Sequence, residues 1–247
     1  MTDPAGATPD LSVAAPCYNE AESIEGVVVE WDRVLSGWPR PSEIVLCNDG
    51  SKDGTAQILA ALQRRYPRLR VVSFEVNGGY GRALSAAIDA TRGTWVATID
   101  SDGQFDLADG IKLLEQAERE GLDGMSGRRM GKKAGIVHVY ADRALNLLVR
   151  SMFSLDHRDT NCALKVVRGA RLRGLRIEAR GYPTPTEVVV RLLARGARLG
   201  EAGVAHRERA GGASKLHPWR TGWTFLRFLF YLRRKLKLYR ARIIVEP

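Results

Sequence analysis

The stretch TWVATIDSDGQFD, residues 94–106, joins a short apolar segment to two acidic side chains. Residues 95–99 are apolar and include β-branched side chains, a pattern that predicts a buried β-strand. Asp100 and Asp102 follow it, one residue apart. In an open α/β sheet, ligands bind beyond the carboxyl ends of the strands. The stretch therefore predicts a ligand site at a sheet edge, although Asp-x-Asp-Gly is also common in solvated turns.

The chemistry of these side chains indicates a divalent cation. Two neighbouring carboxylates repel each other unless a cation lies between them, and oxygen ligands suit Mg²⁺ or Mn²⁺. Gln104 adds a neutral oxygen. Such a cation keeps coordination positions open for substrate phosphates. We therefore expect Mg²⁺ or Mn²⁺ to be held by Asp100, Asp102 and Gln104.

Composition limits the class of protein. A chain of 247 residues with 45% hydrophobic content suits one large α/β domain, or a domain with an appendage. The three cysteines are far apart and lack metal-ligand spacing, so we expect reduced thiols in the cytoplasm. The net charge of +10 favours anionic partners. Residues 1–10 lack the features of a signal peptide, and we expect a disordered leader there.

Apolar segments and helical patterns alternate along the first half of the chain. We predict strands at 11–15, 43–47, 69–74, 95–99 and 122–126, and helices at 22–35, 55–66, 83–91 and 107–120. This alternation predicts a Rossmann-like, mostly parallel sheet flanked by helices. Three predicted strands end in polar loops that carry Tyr18 and Glu20, Asp49, or the Asp100–Asp102 pair. All three loops should lie at the same edge of the sheet.

The pattern changes after residue 127. We predict a basic loop at 128–133, a helix at 140–153, a strand at 162–167, a helix at 187–194 and a strand at 198–206. Only soft boundaries are visible, near 127 and near 217. We expect one domain over 11–217 and a tail over 218–247.

Several motifs occur in a fixed order. They are Pro16-x-Tyr18-Asn19-Glu20, Asp49-Gly50-Ser51-x-Asp53-Gly54-Thr55, Asn77-x-Gly79 and Asp100-x-Asp102. Together they resemble the motifs of family 2 glycosyltransferases, which have the GT-A fold. Four later motifs are Asp102-Gly103-Gln104, Ser126-Gly127-Arg128, Asp159-Thr160 and Arg209-x-x-Gly212-x-Ser214-Lys215. These resemble the dolichol-phosphate mannose synthase branch, which transfers a sugar from a nucleotide donor to a polyprenyl phosphate. The resemblance covers about residues 11–217.

The resemblance implies a nucleotide-sugar site. It places Pro16, Tyr18, Glu20 and Asp49 around the base and ribose. Tyr18 offers a stacking face, and the two acids can accept hydrogen bonds. Tyr18 could instead pack in the core, and Glu20 could be a first-turn helix acid. The further donor contacts that the resemblance implies are Gly79, Asp100, Ser101, Asp102, Gln104, Arg209 and Lys215. Asp53 is expected to cap a helix.

Glycines and cations complete the expected site. Gly79 and its neighbours permit a tight turn and a close backbone approach. Arg209 and Lys215 lie in the loop RAGGASK, which could close over phosphates or remain a solvated surface loop. Arg128 could face the acceptor phosphate. The expected catalytic residues are therefore Asp102, Arg128, Arg209 and Lys215, while the roles of Lys132, Lys133 and Arg143 stay open.

The resemblance implies a metal-dependent, inverting transfer of a hexose to polyprenyl or dolichyl phosphate. Mannose from GDP-mannose is the first expectation for the donor, and UDP-glucose is the second. A phosphate acceptor is already anionic near neutral pH, so it needs no general base. A hydroxyl acceptor would need one. For that alternative Glu187 is the candidate base, although it could equally be a first-turn helix acid.

Two departures from the family pattern affect these expectations. Asn48 stands where the family usually has a first aspartate before Asp49, and Arg143 alone is a plausible counterpart of the branch's acceptor-phosphate residues. A rival of another class is a catalytically silent subunit that binds nucleotide-sugar or lipid phosphate. A third is a basic scaffold for membrane or nucleic acid. The chain has no recognisable nucleic-acid reader motif, so we expect no nucleic-acid partner.

The tail over residues 219–244 is rich in aromatic and basic residues and has no acid before Glu246. Such a helix can lie in a membrane interface with its cations on anionic lipid. It could also pack on the domain or form an oligomer contact, and a membrane-protein partner stays open. We expect a cytoplasmic protein that lies peripherally at the inner membrane surface.

Overall fold

A computed structural model of the chain describes residues 8–130, 136–207 and 218–245. The strands are β1 (Leu11–Cys17), β2 (Ser42–Asp49), β3 (Leu69–Phe74), β4 (Trp95–Thr98), β5 (Gly124–Met130), β6 (Lys165–Arg168) and β7 (Leu199–Ala205). The helices are α1 (Ile24–Ser36), α2 (Thr55–Arg65), α3 (Tyr80–Asp89), α4 (Leu107–Arg119), α5 (Ile136–Phe153), α6 (Gly169–Leu172), α7 (Thr184–Ala194) and α8 (Pro218–Arg240).

The strands form one sheet in the order β3-β2-β1-β4-β6-β5-β7. β1 pairs in parallel with β2 and β4, β2 with β3, and β5 with β7. β6 runs antiparallel to β4 and β5, so these two neighbours point the same way. The prediction of a mostly parallel sheet is confirmed. Six strands consequently end at one edge.

Helices cover both faces of this sheet because its central strands are apolar on both sides. Along β1, Val13 and Ala15 join a core cluster with α1, α2 and α4, while Ala14 joins a second cluster with α3 and α7. Side chains alternate between the faces of a strand, so two cores require a continuous apolar run. The 11–15 segment is apolar at every position except Ser12.

Several predicted boundaries differ from the structure. β1 continues through Pro16 to Cys17. Residues 128–130 extend β5 rather than forming a loop, because they pair with β7. The expected disordered leader is too long, because the carbonyl oxygens of Pro9 and Asp10 accept the N–H groups of residues 94 and 95 at 3.0 and 2.8 Å. Residues 1–7 lie outside the described residues.

Helix α8 packs on the domain through one apolar face. Its buried side chains recur at helical spacing: Phe225, Leu229, Leu232 and Leu236. They form a third cluster with side chains of α5 and α7. The expected alternative of packing on the domain is therefore seen for this face. No helix among the described residues has the length and apolar character that crossing a membrane requires.

A polar junction also ties α8 to the domain. Glu178 accepts hydrogen bonds from Lys235 Nζ at 2.7 Å and from the Tyr231 hydroxyl at 2.9 Å, both on α8. It also accepts one from Arg191 Nη2 of α7 at 2.8 Å. We call these four residues the Glu178 junction. These cationic and hydroxyl donors hold the pKa of Glu178 below its usual value, against the opposing effect of burial.

Candidate active site at the carboxyl edge of the sheet

The Asp100–Asp102 loop is fixed to the neighbouring strand. Ser101, buried between the two acids, donates its hydroxyl proton to the carbonyl oxygen of Pro16 at 2.8 Å. Asp102 is also buried, and its Oδ1 accepts the N–H of Gln104 at 3.1 Å. Gly103 adopts a φ of +75°, which a residue without Cβ accommodates readily. The loop therefore holds both carboxylates at the end of β4.

Electrostatics in this loop fit a cation. Burial and the charge of Asp102 raise the pKa of Asp100 from 3.8 to about 6, so the two carboxylates oppose each other's ionisation. Among the residues that the structure describes, no cluster of three or more His, Cys, Asp or Glu side chains could hold a metal ion. The loop does bring two carboxylates together, and hard oxygens of this kind suit Mg²⁺ or Mn²⁺.

Tyr80 is a member of this site that the sequence prediction lacked. Its hydroxyl donates to Oδ1 of Asp100 at 2.7 Å. Burial and the Asp100 charge raise the pKa of the Tyr80 phenol well above 10, so it remains a donor at neutral pH. The sequence NGGYG predicted only a turn at this position. Its location, directly after glycines that follow a strand, was the available signal.

Gln104 is turned toward the chain that follows β7. Its Nε2 donates to the carbonyl oxygen of Arg207 at 3.3 Å, and the Arg207 N–H donates to the Gln104 carbonyl oxygen at 2.8 Å. The Arg207 guanidinium pairs with Glu30 and Asp106 at 2.8 and 2.5 Å. The chain is thus anchored at residue 207, beside the Asp100–Asp102 loop, which we call the acidic loop. Arg209 and Lys215 lie outside the described residues, as do Lys132 and Lys133.

The predicted ribose contact, Asp49, has local partners in the structure. Oδ1 and Oδ2 accept the N–H groups of Gly78 and Gly79 at 2.9 and 2.8 Å. Its carbonyl oxygen accepts a hydrogen bond from Asn77 Nδ2 at 3.2 Å. Asp49 therefore organises residues 77–81, which we call the glycine loop. A nucleotide-sugar that contacts Asp49 would have to share these oxygens.

The glycine loop lies against the segment that precedes α7. Gly79 has a φ of +94°, and a Cβ there would overlap the carbonyl oxygen of Arg180. A Cβ on Gly81 would overlap the carbonyl oxygen of Ala179. The start of α3 can therefore approach this segment only because both positions are glycine.

Hydrogen bonds also tie the loops after β1 and β2 together. The Asn19 N–H donates to Ser51 Oγ at 3.0 Å, and the Glu20 N–H donates to Thr55 Oγ1 at 2.9 Å. Asp53 lies one residue before Gly54, the N-cap of α2, and its Oδ1 accepts the N–H of Thr55, the first residue of that helix. Tyr18 is half-buried beside these loops. The predicted base and ribose residues thus come together at one edge.

Two neighbouring arginines of β5 have different surroundings. Arg129 donates from Nε and Nη2 to the two oxygens of Asp159, at 2.8 and 2.7 Å, and this pairing raises its pKa against the effect of burial. Arg128 is half-buried, and its Nε has no hydrogen-bond partner among the described residues. Asp159 belongs to a quoted motif, but its pairing with Arg129 was not predicted.

A buried lysine adds positive charge near the acidic loop. Lys165 begins β6 and pairs with Thr98 on the neighbouring strand β4. Its Nζ donates to the carbonyl oxygens of Thr160 and Cys162. Burial lowers the pKa of Lys165 from 10.5 to about 8. Its charge, like that of Arg129, acts to lower the pKa of Asp100. These cations partly offset the repulsion between the two aspartates.

Glu187 does not have the surroundings of a general base. It has no exposed surface, and its carboxylate accepts the N–H groups of Glu178 and Ala179 and a hydrogen bond from Arg191 Nε at 2.6 Å. A general base must reach the proton that it removes. The alternative role predicted for Glu187 is therefore corrected, because its oxygens hold the backbone before α7.

Comparison with known proteins identifies the family. The model of the family described as Glycosyl transferase family 2 matches residues 12–171, which is more than half of the chain. The chain belongs to this family. The match includes the loops after β1, β2 and β4 and the arginines of β5, and it confirms the family resemblance drawn from the motifs.

Curated relatives narrow the comparison. The chain is 28% identical, over 92% of its length, to a dodecaprenyl-phosphate galacturonate synthase of Rhizobium johnstonii, of which it spans 69%. It is 30% identical, over 83% of its length, to an undecaprenyl-phosphate 4-deoxy-4-formamido-L-arabinose transferase of Pseudomonas paraeruginosa, of which it spans 60%. The chain thus spans less than two thirds of the second relative.

A solved structure supports the fold. Glucosyl-3-phosphoglycerate synthase of Mycobacterium tuberculosis, in complex with Mn²⁺, UDP-glucose and phosphoglyceric acid, matches with a TM-score of 0.67 and 21% identity. The match covers 94% of this chain and 80% of that one. The predicted GT-A fold is confirmed.

Proposed function

We propose that this chain transfers a sugar from a nucleotide-sugar to a polyprenyl phosphate, with a divalent cation held by Asp100 and Asp102. The observation that carries the proposal is the pair of opposed carboxylates at the carboxyl end of β4, of which Asp102 is buried and Asp100 is half-buried. It is supported by the names of the relatives, which are polyprenyl-phosphate sugar synthases and transferases. Mn²⁺ and UDP-glucose in the structural neighbour support the cation and the donor class.

The reaction needs few proton transfers. An anionic phosphate oxygen of the acceptor attacks the anomeric carbon of the sugar, and the bond from that carbon to the nucleoside diphosphate breaks. The bonding electrons leave with the diphosphate oxygen, and the configuration at the anomeric carbon is inverted. When bound, the cation would offset charge that grows on this leaving group. The acceptor is already ionised near neutral pH, so no general base is required.

The described arginines suggest how the acceptor phosphate is held. Arg128 is proposed to bind it, because its half-buried guanidinium has an unpaired Nε. Arg129 is committed to Asp159 and would fix the strand that carries Arg128. Arg209 and Lys215 remain proposed ligands of the donor diphosphate, beyond the anchor at Arg207.

The surface of α8 supports a location at the inner membrane surface. Trp223 and Phe230 are 66% and 63% exposed, and Arg233, Arg234 and Lys237 are also exposed. Residues 218–245 contain no acidic residue. Aromatic rings and cations without acids suit an anionic bilayer surface. A polyprenyl phosphate would present its headgroup at such a surface.

The donor sugar is the finer part of the proposal. We retain mannose from GDP-mannose as the proposed donor, with UDP-glucose as the second candidate. The names of the relatives add galacturonate and 4-deoxy-4-formamido-L-arabinose to the sugars that a test should include.

Thermal stabilisation by nucleotides tests the donor site. GDP, UDP and their sugar conjugates are added with and without Mn²⁺, and the melting temperature is measured. A ligand that binds the native state raises it by mass action. We expect a metal-dependent rise with one base, lost in Asp102→Ala and retained in Glu115→Gln, which changes an exposed acid on α4. No rise with any nucleotide would refute the donor site.

Transfer assays separate the rival functions. Radiolabelled sugar should move to undecaprenyl phosphate in the presence of Mn²⁺, and Asp102→Ala should abolish the transfer. A nucleotide-binding protein that transfers no sugar to lipid phosphate or to hydroxyl acceptors would indicate a silent binding subunit. Transfer to hydroxyl acceptors alone would indicate the hydroxyl-acceptor class, with a base other than Glu187.

A further inference from the structure

We propose that Tyr80 is a positioning residue that orients the Asp100 carboxylate for the divalent cation. The inference rests on the proposed metal centre and adds to it a residue that does not itself bind metal. Its basis is the hydrogen bond of 2.7 Å from the Tyr80 hydroxyl to Asp100 Oδ1. A hydrogen bond to a carboxylate is stronger than one between neutral groups, so it can select one carboxylate orientation.

The two oxygens of Asp100 differ as a result. Oδ1 is held by the phenol, whereas Oδ2 receives no hydrogen bond from the described residues. A carboxylate at the end of a side chain rotates over a broad range when nothing restrains it. With Oδ1 fixed, Oδ2 keeps a constant direction in the loop it shares with Asp102.

The tyrosine is itself held by the fold. Its ring packs against the core cluster between the sheet, α3 and α7, while its hydroxyl points to Asp100. The flanking glycines, Gly79 and Gly81, lie against the carbonyl oxygens of Arg180 and Ala179. The start of α3 is therefore packed against the segment that contains residues 179 and 180. This packing fixes the position of the Tyr80 hydroxyl.

The hydrogen bond between Tyr80 and Asp100 joins loops that follow two different strands. Asp100 follows β4, and Tyr80 begins the helix after β3, which lies three places away in the sheet. The hydrogen bond thus joins the glycine loop, organised by Asp49, to the acidic loop. Donor phosphates would meet both loops, and the contact keeps their spacing constant.

Tyr80→Phe tests the inference because it removes the hydroxyl and keeps the ring. Free Mn²⁺ is followed by electron paramagnetic resonance while the protein, saturated with UDP or GDP, is titrated. We expect about tenfold weaker Mn²⁺ binding in Tyr80→Phe, the usual scale for one hydrogen bond to a charged group. Nucleotide affinity without metal should not change. Tyr66→Phe is the matched control, since Tyr66 lies at the end of α2 against Arg65.

Each outcome has a distinct meaning. Wild-type Mn²⁺ affinity in Tyr80→Phe, beside a loss in Asp102→Ala, overturns the positioning role and leaves the metal centre intact. Equal losses of nucleotide affinity with and without metal would show that Tyr80 serves only to pack the loop, which also overturns the role. A wild-type protein that binds no Mn²⁺ overturns the metal centre and this inference together.

Discussion

Arg191 Nε lies 2.6 Å from Glu187 Oε1, one helical turn away on α7, and neither side chain has exposed surface. The pair is therefore shielded from solvent and from any substrate. Glu187 also holds the backbone of residues 178 and 179, which contacts the glycine loop. Its charge acts on the shape of the site from a distance rather than on the reacting atoms.

Replacing this acid should affect stability before it affects chemistry. In Glu187→Gln the buried guanidinium loses one of its two carboxylate partners, and breaking a buried pair costs about 3 kcal/mol. We expect that loss in the free energy of unfolding, measured with urea. Glu115→Gln, on the exposed side of α4, is the control and should change little. Wild-type stability of Glu187→Gln would contradict this structural role of the buried pair.

The close approach of α3 to the segment before α7 predicts opposite effects for two helical glycines. Gly81→Ala should destabilise the protein and weaken nucleotide binding, because its Cβ would overlap the Ala179 carbonyl oxygen. A Cβ on Gly26 of α1 would have no atom within 4 Å. Gly26→Ala should therefore raise the free energy of unfolding by roughly 0.5–1 kcal/mol, because alanine has the better helix propensity. Denaturation curves of both variants give the comparison, and similar effects at both sites would contradict the packing.

The stability of the metal-free protein should depend on pH through Asp100. Its pKa of about 6 in the folded state lies above the ordinary 3.8, so the folded state holds this proton more tightly than the unfolded state. The contribution of Asp100 to stability therefore falls as pH rises from about 4 to about 6, and the full cost remains above that range.

Asp100→Asn tests this dependence because it removes the titrating group. The stability of the variant relative to wild type should rise between about pH 4 and about pH 6, measured by urea denaturation with chelator present. Glu22→Gln, at an exposed acid before α1, provides the reference for a general charge effect. Parallel pH curves for wild type and Asp100→Asn would refute the shift.

The exposed basic side of α8 predicts salt-dependent binding to anionic membranes. Reversing Arg233 and Arg234 to glutamate should weaken binding to phosphatidylglycerol vesicles about 30-fold or more, since each basic residue contributes about 1 kcal/mol. Arg64→Glu with Arg65→Glu on α2 changes the net charge equally at another exposed arginine pair. Vesicle sedimentation compares them. Equal losses would indicate only general charge attraction.

The sequence predicted the strands that form the catalytic edge because their signal is local. β3 has the predicted bounds, and the apolar run before Asp100 is β4. The direction of β6 was not predictable, because four residues look the same in parallel and antiparallel pairing. The extension of β5 over Arg128 and Arg129 depends on pairing with β7, which lies about 75 residues later.

Partners of side chains were harder to predict than their positions. Asp49 and Asp100 lie at the predicted edge, but contacts with Gly78, Gly79 and Tyr80 join segments far apart in sequence. Glu187 looked like an ordinary first-turn acid, since burial of α7 becomes visible only once α8 and the preceding segment pack on it. Local pattern shows which residues are polar, whereas the fold decides which of them face substrate.

The Glu178 junction bears on how a shortened form of this protein could be made. Cutting the chain before α8 would remove Tyr231 and Lys235 from Glu178 and uncover the apolar surface around Val149, Met152 and Val190. Glu178 directly precedes Ala179 and Arg180, whose backbone contacts the glycine loop. A minimal catalytic fragment must therefore keep the C-terminal helix, and solubility is better sought by changing its exposed Trp223 and Phe230 than by truncation.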